Sequence, residues 1–90
     1  MQIIIEIKDK VIRLILKEQE KLIDEVEFAQ EENISQKLLP FFDELLKKNK
    51  LTKEDISKVE VDTDLGDTYT SRRIAEAFAN SFNDFKKSLE

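Results

Sequence analysis

A change in hydrophobic period about a third of the way along the chain constrains its fold more than any other feature. Up to Phe28 the apolar residues recur every second position, and from Ile34 onward they recur at helical spacing. Three short runs make up the first part: Gln2–Ile7, Val11–Lys17 and Leu22–Phe28. Ile3, Ile5 and Ile7 share one face of the first run, and Ile12, Leu14 and Leu16 share one face of the second. The opposite faces carry Glu6, Arg13, Glu25 and Glu27, so one side of the sheet is expected to be wet. Asp9-Lys10 and Glu20-Lys21 leave room only for tight hairpins, and the runs predict an antiparallel meander.

The second part predicts two helices around a fourth strand. In Ile34–Lys48, residues Ile34, Leu38, Leu39, Phe41, Phe42, Leu45 and Leu46 cover an arc of about 160° at ~100° per residue. Pro40 is expected near the helix start, where a missing N–H is tolerated, or else at a kink. Leu51–Asp55 reads as a turn with Thr52 capping a short helical segment. Ile56–Val61 follows as a strand parallel to one of the meander. Thr70–Leu89 is a strongly amphipathic helix, with Ile74, Phe78, Phe82, Phe85 and Leu89 inside an arc of about 80° and Ala75 and Ala79 beside them. The expectation is one α/β domain over residues 1–90, ordered βββαβα, with a mixed four-stranded sheet and both helices on one face.

Composition narrows the chemistry. Cysteine and histidine are both absent, which removes disulfides, thiolate or imidazole zinc ligands and any imidazole base for triad catalysis. Twenty Asp+Glu against fifteen Lys+Arg give a net charge of −5, a field that disfavours direct nucleic-acid binding. No apolar stretch approaches the roughly 20 residues of a membrane span and no basic leader precedes the first run, so a cytoplasmic protein is expected. Six Phe within 40% hydrophobic content point to a folded chain rather than a disordered one.

Residues 34–85 carry a likeness to a known family. Ile34-Ser35-Gln36-Lys37-Leu38-Leu39-Pro40, then Leu45-Leu46, then Leu51 with Asp55-Ile56, then Thr68-Tyr69-Thr70-Ser71-Arg72-Arg73-Ile74 match its motifs without gaps. Those motifs are a helix H-S-x-x-L-L-P followed by L-L, then L-x-x-x-D-L/I, a glycine-rich loop and an Ala-rich helix. The chain resembles the N-terminal half of the TsaB (YeaZ) family, partners in threonylcarbamoyladenosine modification of tRNA, in the actin-like/ribonuclease-H-like superfamily. The resemblance implies half of an actin-like domain and a scaffold that pairs with a related protein through two helices. It departs from the family at Ile34, where the family has His. It departs again at Leu65, Gly66, Asp67 and Ser71, which replace loop glycines and proline, and at Ile7-Lys8-Asp9, which shortens the phosphate-facing loop to a hairpin. A phosphate cradle needs close-approaching backbone N–H groups, so no nucleotide or other cofactor is carried over. The family's second half has no counterpart in this sequence, so the resemblance is to a truncated member.

Two groups of residues are candidates for function. Asp62, Asp64 and Asp67 follow the fourth strand, where open α/β sheets place ligands. Val61-Asp62-Thr63-Asp64 resembles the Asp-x-Asp signature of haloacid-dehalogenase-like hydrolases, but the later motifs are lacking, and Asp67 stands where an EF-hand loop wants Gly. The plainer expectation is a solvated or salt-bridged loop, with these carboxylates offsetting Arg72 and Arg73 in the first turn of the last helix. An Arg facing a partner is the alternative. The basic run Lys47, Lys48, Lys50 and Lys53 reads as a solvated helix end.

The other group is apolar. The arc of the first helix is wider than contact with a sheet requires, so Leu39, Phe41 and Leu46, with Ala75 and Ala79 on the second helix, are expected to face a second body. That body is either the neighbouring helix or another chain. The leading expectation is a non-catalytic protein–protein interaction module, a homodimer or a heterodimer with a related actin-like chain. A small Asp-dependent metal-binding hydrolase using Asp62 and Asp64, or a protein with no retained ancestral role, are the alternatives.

Overall fold

Aliphatic alternation builds the sheet. The computed structural model describes residues 1–8, 10–29, 34–64, 66 and 69–88, with side chains to residue 85. Strands β1 (Gln2–Lys8), β2 (Val11–Glu18) and β3 (Lys21–Ala29) form the meander, and α1 (Ile34–Lys48), a 3₁₀ turn (Lys53–Asp55), β4 (Lys58–Thr63) and α2 (Thr70–Ser88) follow. The sheet order is β3-β2-β1-β4, with β4 parallel to β1 and the other pairs antiparallel. The chain is therefore an α/β fold with a mixed four-stranded sheet, as the periodicities predict. The second hairpin turn lies one residue earlier than expected, at Gln19-Glu20, because Lys21 already pairs with Glu18. Gln19 turns it with a φ of 58°.

Ile3, Ile5, Ile7, Ile12, Leu14 and Leu16 are all at most 1% exposed and form the floor of the core. α1 lies over β2 and β3, and α2 over β4 and β1. From α1, Leu38, Phe42, Leu45 and Leu46 enter the core, joined by Ile56, Val59, Ala75, Ala79 and Phe82. Phe42 is the aromatic centre, meeting Phe78 and Phe82 edge-on at 5.4 and 5.6 Å between centroids. Phe41 stacks on Phe28 at 4.6 Å and covers the β3 side. Pro40 lies inside α1 rather than in its first turn, and it is exposed on the same helix face as Gln36, whose carbonyl it leaves to water.

The end of α1 is closed by paired backbone bonds. Leu51 N–H donates to the Leu46 carbonyl at 2.8 Å and Lys50 N–H to that of Lys47 at 3.1 Å, with Lys50 left-handed at φ 58°. Asp55 accepts the Thr52 N–H at 2.8 Å to form the next turn. β4 begins at Lys58, two residues later than the alternation predicts, because Ser57 is spent on an anchor: its N–H and hydroxyl reach the Met1 carbonyl at 2.6 and 2.8 Å. At the other end, Thr63 Oγ1 donates to the Ile7 carbonyl at 3.0 Å.

One polar cluster ties β3 to α1. The Asp24 carboxylate accepts from Asn49 Nδ2 at 3.0 Å and from the Glu25 N–H at 2.8 Å, and Lys48 lies 3.4 Å away. Asn49 also donates to the Leu45 carbonyl at 2.8 Å. The Asn49 bond, then the Glu25 N–H and Lys48, hold the Asp24 carboxyl below the usual carboxylate range. Asp24→Ala is expected to cost about 1 kcal/mol at neutral pH. A depressed pKa stabilises above the unfolded value, about 3.9, and the contribution is lost as pH falls through the folded value. Thermal melts of both proteins should converge below about pH 4.

Candidate functional site

The sheet face away from the helices neutralises itself. Arg13 lies 3.2 Å from Glu6, 3.1 Å from Glu27 and 3.9 Å from Glu25. The Glu27 bond first, then the charges of Glu25, Glu27 and Glu6, raise the Arg13 pKa further. Lys8 bridges Glu6 and Asp62, each at 3.9 Å, and Lys58 pairs with Glu60 at 2.6 Å. These cross-strand pairs occupy the charges of that face with one another.

The helix layer is different. Between α1 and α2 opens a groove of about 350 Å³, lined by Leu39, Phe42, Phe78, Phe82, Phe85 and Lys53. Its floor is fixed by the buried Phe42 and by Phe82, while Leu39 is 46% and Phe85 52% exposed. Two large apolar side chains thus stand in water beside a preformed aromatic trough with Lys53 on its wall. Such an arrangement suits an apolar partner surface better than chemistry.

Only Leu39 of the five residues expected to form an outward apolar surface lines this groove. Leu46 is 3%, Ala75 0% and Ala79 4% exposed, all three inside the core, and Phe41 is half-buried on Phe28. The correction has a simple cause. Ala75 and Ala79 do permit close approach, but the element that approaches is β4 of the same chain rather than another helix. The Phe78–Phe85 side of α2 borders the groove instead. The signal was present: Ala75, Ala79 and Phe82 lie within about 60° of one another, and Ile74, Phe78 and Phe85 lie within about 40° beside them.

Of the acidic loop, Asp62 and Asp64 are among the described residues. Asp62 is exposed on β4 next to Lys8, Asp64 is exposed beyond it, and Asp67 lies outside the described residues. Arg72 hydrogen-bonds to Glu76 one turn on in α2, and Arg73 is exposed. Arg72 and Asp62 therefore pair with others rather than with each other. Among the described residues, no three acidic side chains gather closely enough to hold a metal ion. No described helix is long and apolar enough to cross a membrane. Arg73→Ala, at an exposed position, is expected to cost no more than about 0.5 kcal/mol by denaturant unfolding. A melting temperature that rises with millimolar Mg²⁺ would instead reveal a cation held by Asp62 and Asp64.

No protein-family model matches the chain, and no curated protein matches it in sequence. Among solved structures the chain is similar to YeaZ from Pseudomonas aeruginosa, with a TM-score of 0.71 at 14% identity. The match covers 91% of this chain and 38% of that one, so this chain spans well under half of that protein's length. At such identity the likeness shows the fold: this is a TsaB-like, actin-like arrangement of strands and helices.

Proposed function

We propose that this chain is a non-catalytic protein–protein interaction module that docks through the groove between α1 and α2. The observation that carries the reading is the exposure of Leu39 and Phe85 beside a trough floored by Phe42, Phe78 and Phe82. The occupant is a second copy of the chain. A two-fold axis through the groove lets each exposed side chain fill its partner's trough, so every contact is made twice. A domain of about 90 residues gains proportionately from such burial, since its own core removes a limited share of its surface from water. A link to tRNA threonylcarbamoyladenosine modification, in the cytoplasm, rests on the TsaB resemblance alone.

No catalytic role and no cofactor belong to this reading. The chain has no His or Cys, and the acidic pair Asp62 and Asp64 is exposed. Calorimetry with ATP and Mg²⁺ is expected to show no binding tighter than about 100 μM, roughly −5.5 kcal/mol.

Light scattering at about 50 μM should give twice the 10.6 kDa chain mass. Leu39→Asp should weaken association by about tenfold or more while leaving the circular dichroism spectrum unchanged. A native protein that stays monomeric at that concentration removes the homodimer. Capture of a related actin-like chain that is lost on Leu39→Asp would then assign the groove to a heterodimer.

A further inference from the structure

The outer edge of β4 is an open edge of the sheet, and among the described residues the Asn83 side chain bonds to it. β4 pairs with β1 on one side and is the last strand of the sheet on the other. The Val59 N–H donates to Asn83 Oδ1 at 3.0 Å, and Asn83 Nδ2 donates to the Val59 carbonyl at 3.0 Å. A carboxamide that accepts from an N–H and donates to a C=O of one residue presents the same pair of groups as an adjacent strand. Val59 therefore spends neither backbone group on β1. By the two-residue alternation of a strand, Val61 turns its N–H and C=O outward as well.

We propose that Asn83 stands in for a further strand and thereby keeps the β4 edge from pairing with the β4 edge of another copy. The edge has what self-pairing requires. An antiparallel match about Glu60 sets Val59 against Val61 and Lys58 against Asp62 on each side of the two-fold axis. The repeated Glu60 at its centre already lies 2.6 Å from Lys58 of its own chain. Unpaired edges of this kind are templates for strand addition, and blocking one costs the chain a single side chain on α2. This device is independent of the helix groove, which lies on the opposite flank of α2.

Asn83→Leu keeps the bulk and removes both hydrogen bonds. With the helical spectrum retained, the variant should form particles of at least twice the native mass at equal concentration. An infrared band of intermolecular β-structure should accompany them. Adding Val61→Pro, which deletes an outward N–H that an edge strand can spare, should return the native mass. A folded Asn83→Leu protein of unchanged mass overturns the proposal. Should the variant not fold, hydrogen exchange on the native protein decides. The Val59 amide should exchange at least about tenfold more slowly than that of Val61, and equal rates would overturn the assignment.

Discussion

The parallel pairing of β4 with β1 is the constraint on which the rest of the structure depends. β1, β2 and β3 join through two-residue turns and need only local contacts. β4 returns from 56 residues away and must be held against the edge of the first strand. Closing a loop of that length has an entropic cost that only contacts at its end repay. The anchors at Ser57 and Thr63 fasten both ends of the strand. The same path obliges the chain to cross from the β3 side of the sheet to the β4 side, and α1 makes that crossing over the aliphatic floor. α2 then closes what α1 leaves open, above β4 and β1. Both helices lie on the face of Ile3, Ile5, Ile7, Ile12, Leu14 and Leu16 and bury it fully, while Ile4 and Ile15 pair half-buried on the other face.

Strand and helix identities were legible because each rests on a period that nothing else in the chain imitates. Ile3-Ile5-Ile7 and Ile12-Leu14-Leu16 admit only a half-buried strand, and the spacing of Leu38, Phe42 and Leu45 admits only a helix. The rotation of each helix was not legible. Its sequence shows which residues are apolar, but not which of two adjacent stripes meets the sheet. On α2 the small stripe lies against β4 because only alanine lets the helix axis come near a strand. That choice displaces the phenylalanines toward α1 and exposes Phe85. Leu46 was misplaced for a related reason, since the wide arc of α1 is consumed by its own sheet and by Phe28.

The polar ties were the least legible of all. Asp24, Asn49 and Lys48 meet across 25 residues of sequence, and Asn83 reaches Val59 across 24. Neither spacing carries a period or motif, so single polar residues of this kind look like surface until the backbone brings them together. The acidic loop shows the converse. Clustering of Asp62, Asp64 and Asp67 in sequence suggested a shared site, yet alternation along β4 turns Asp62 to the open sheet face, where Lys8 meets it.

These placements narrow what the molecule can offer to another. A fold shared at 14% identity fixes backbone layout and leaves the surface to each sequence, so function has to come from side chains peculiar to this chain. Among the described residues, several surfaces besides the outer edge of β3 are open to a partner. The outer sheet face carries charges already paired across strands, and a partner would have to separate them before gaining anything. On the β4 edge the Val59 N–H and C=O are taken by Asn83. The groove between the helices presents Leu39 and Phe85 in water beside a shaped trough, while Leu22 and Ile23 stand exposed on β3. Its floor belongs to the core, so Phe42 and Phe82 cannot swing away to bury Leu39 and Phe85 without losing packing elsewhere. Among the described residues nothing in the core can swing over that pair, and this is the physical basis of the docking proposed for the groove.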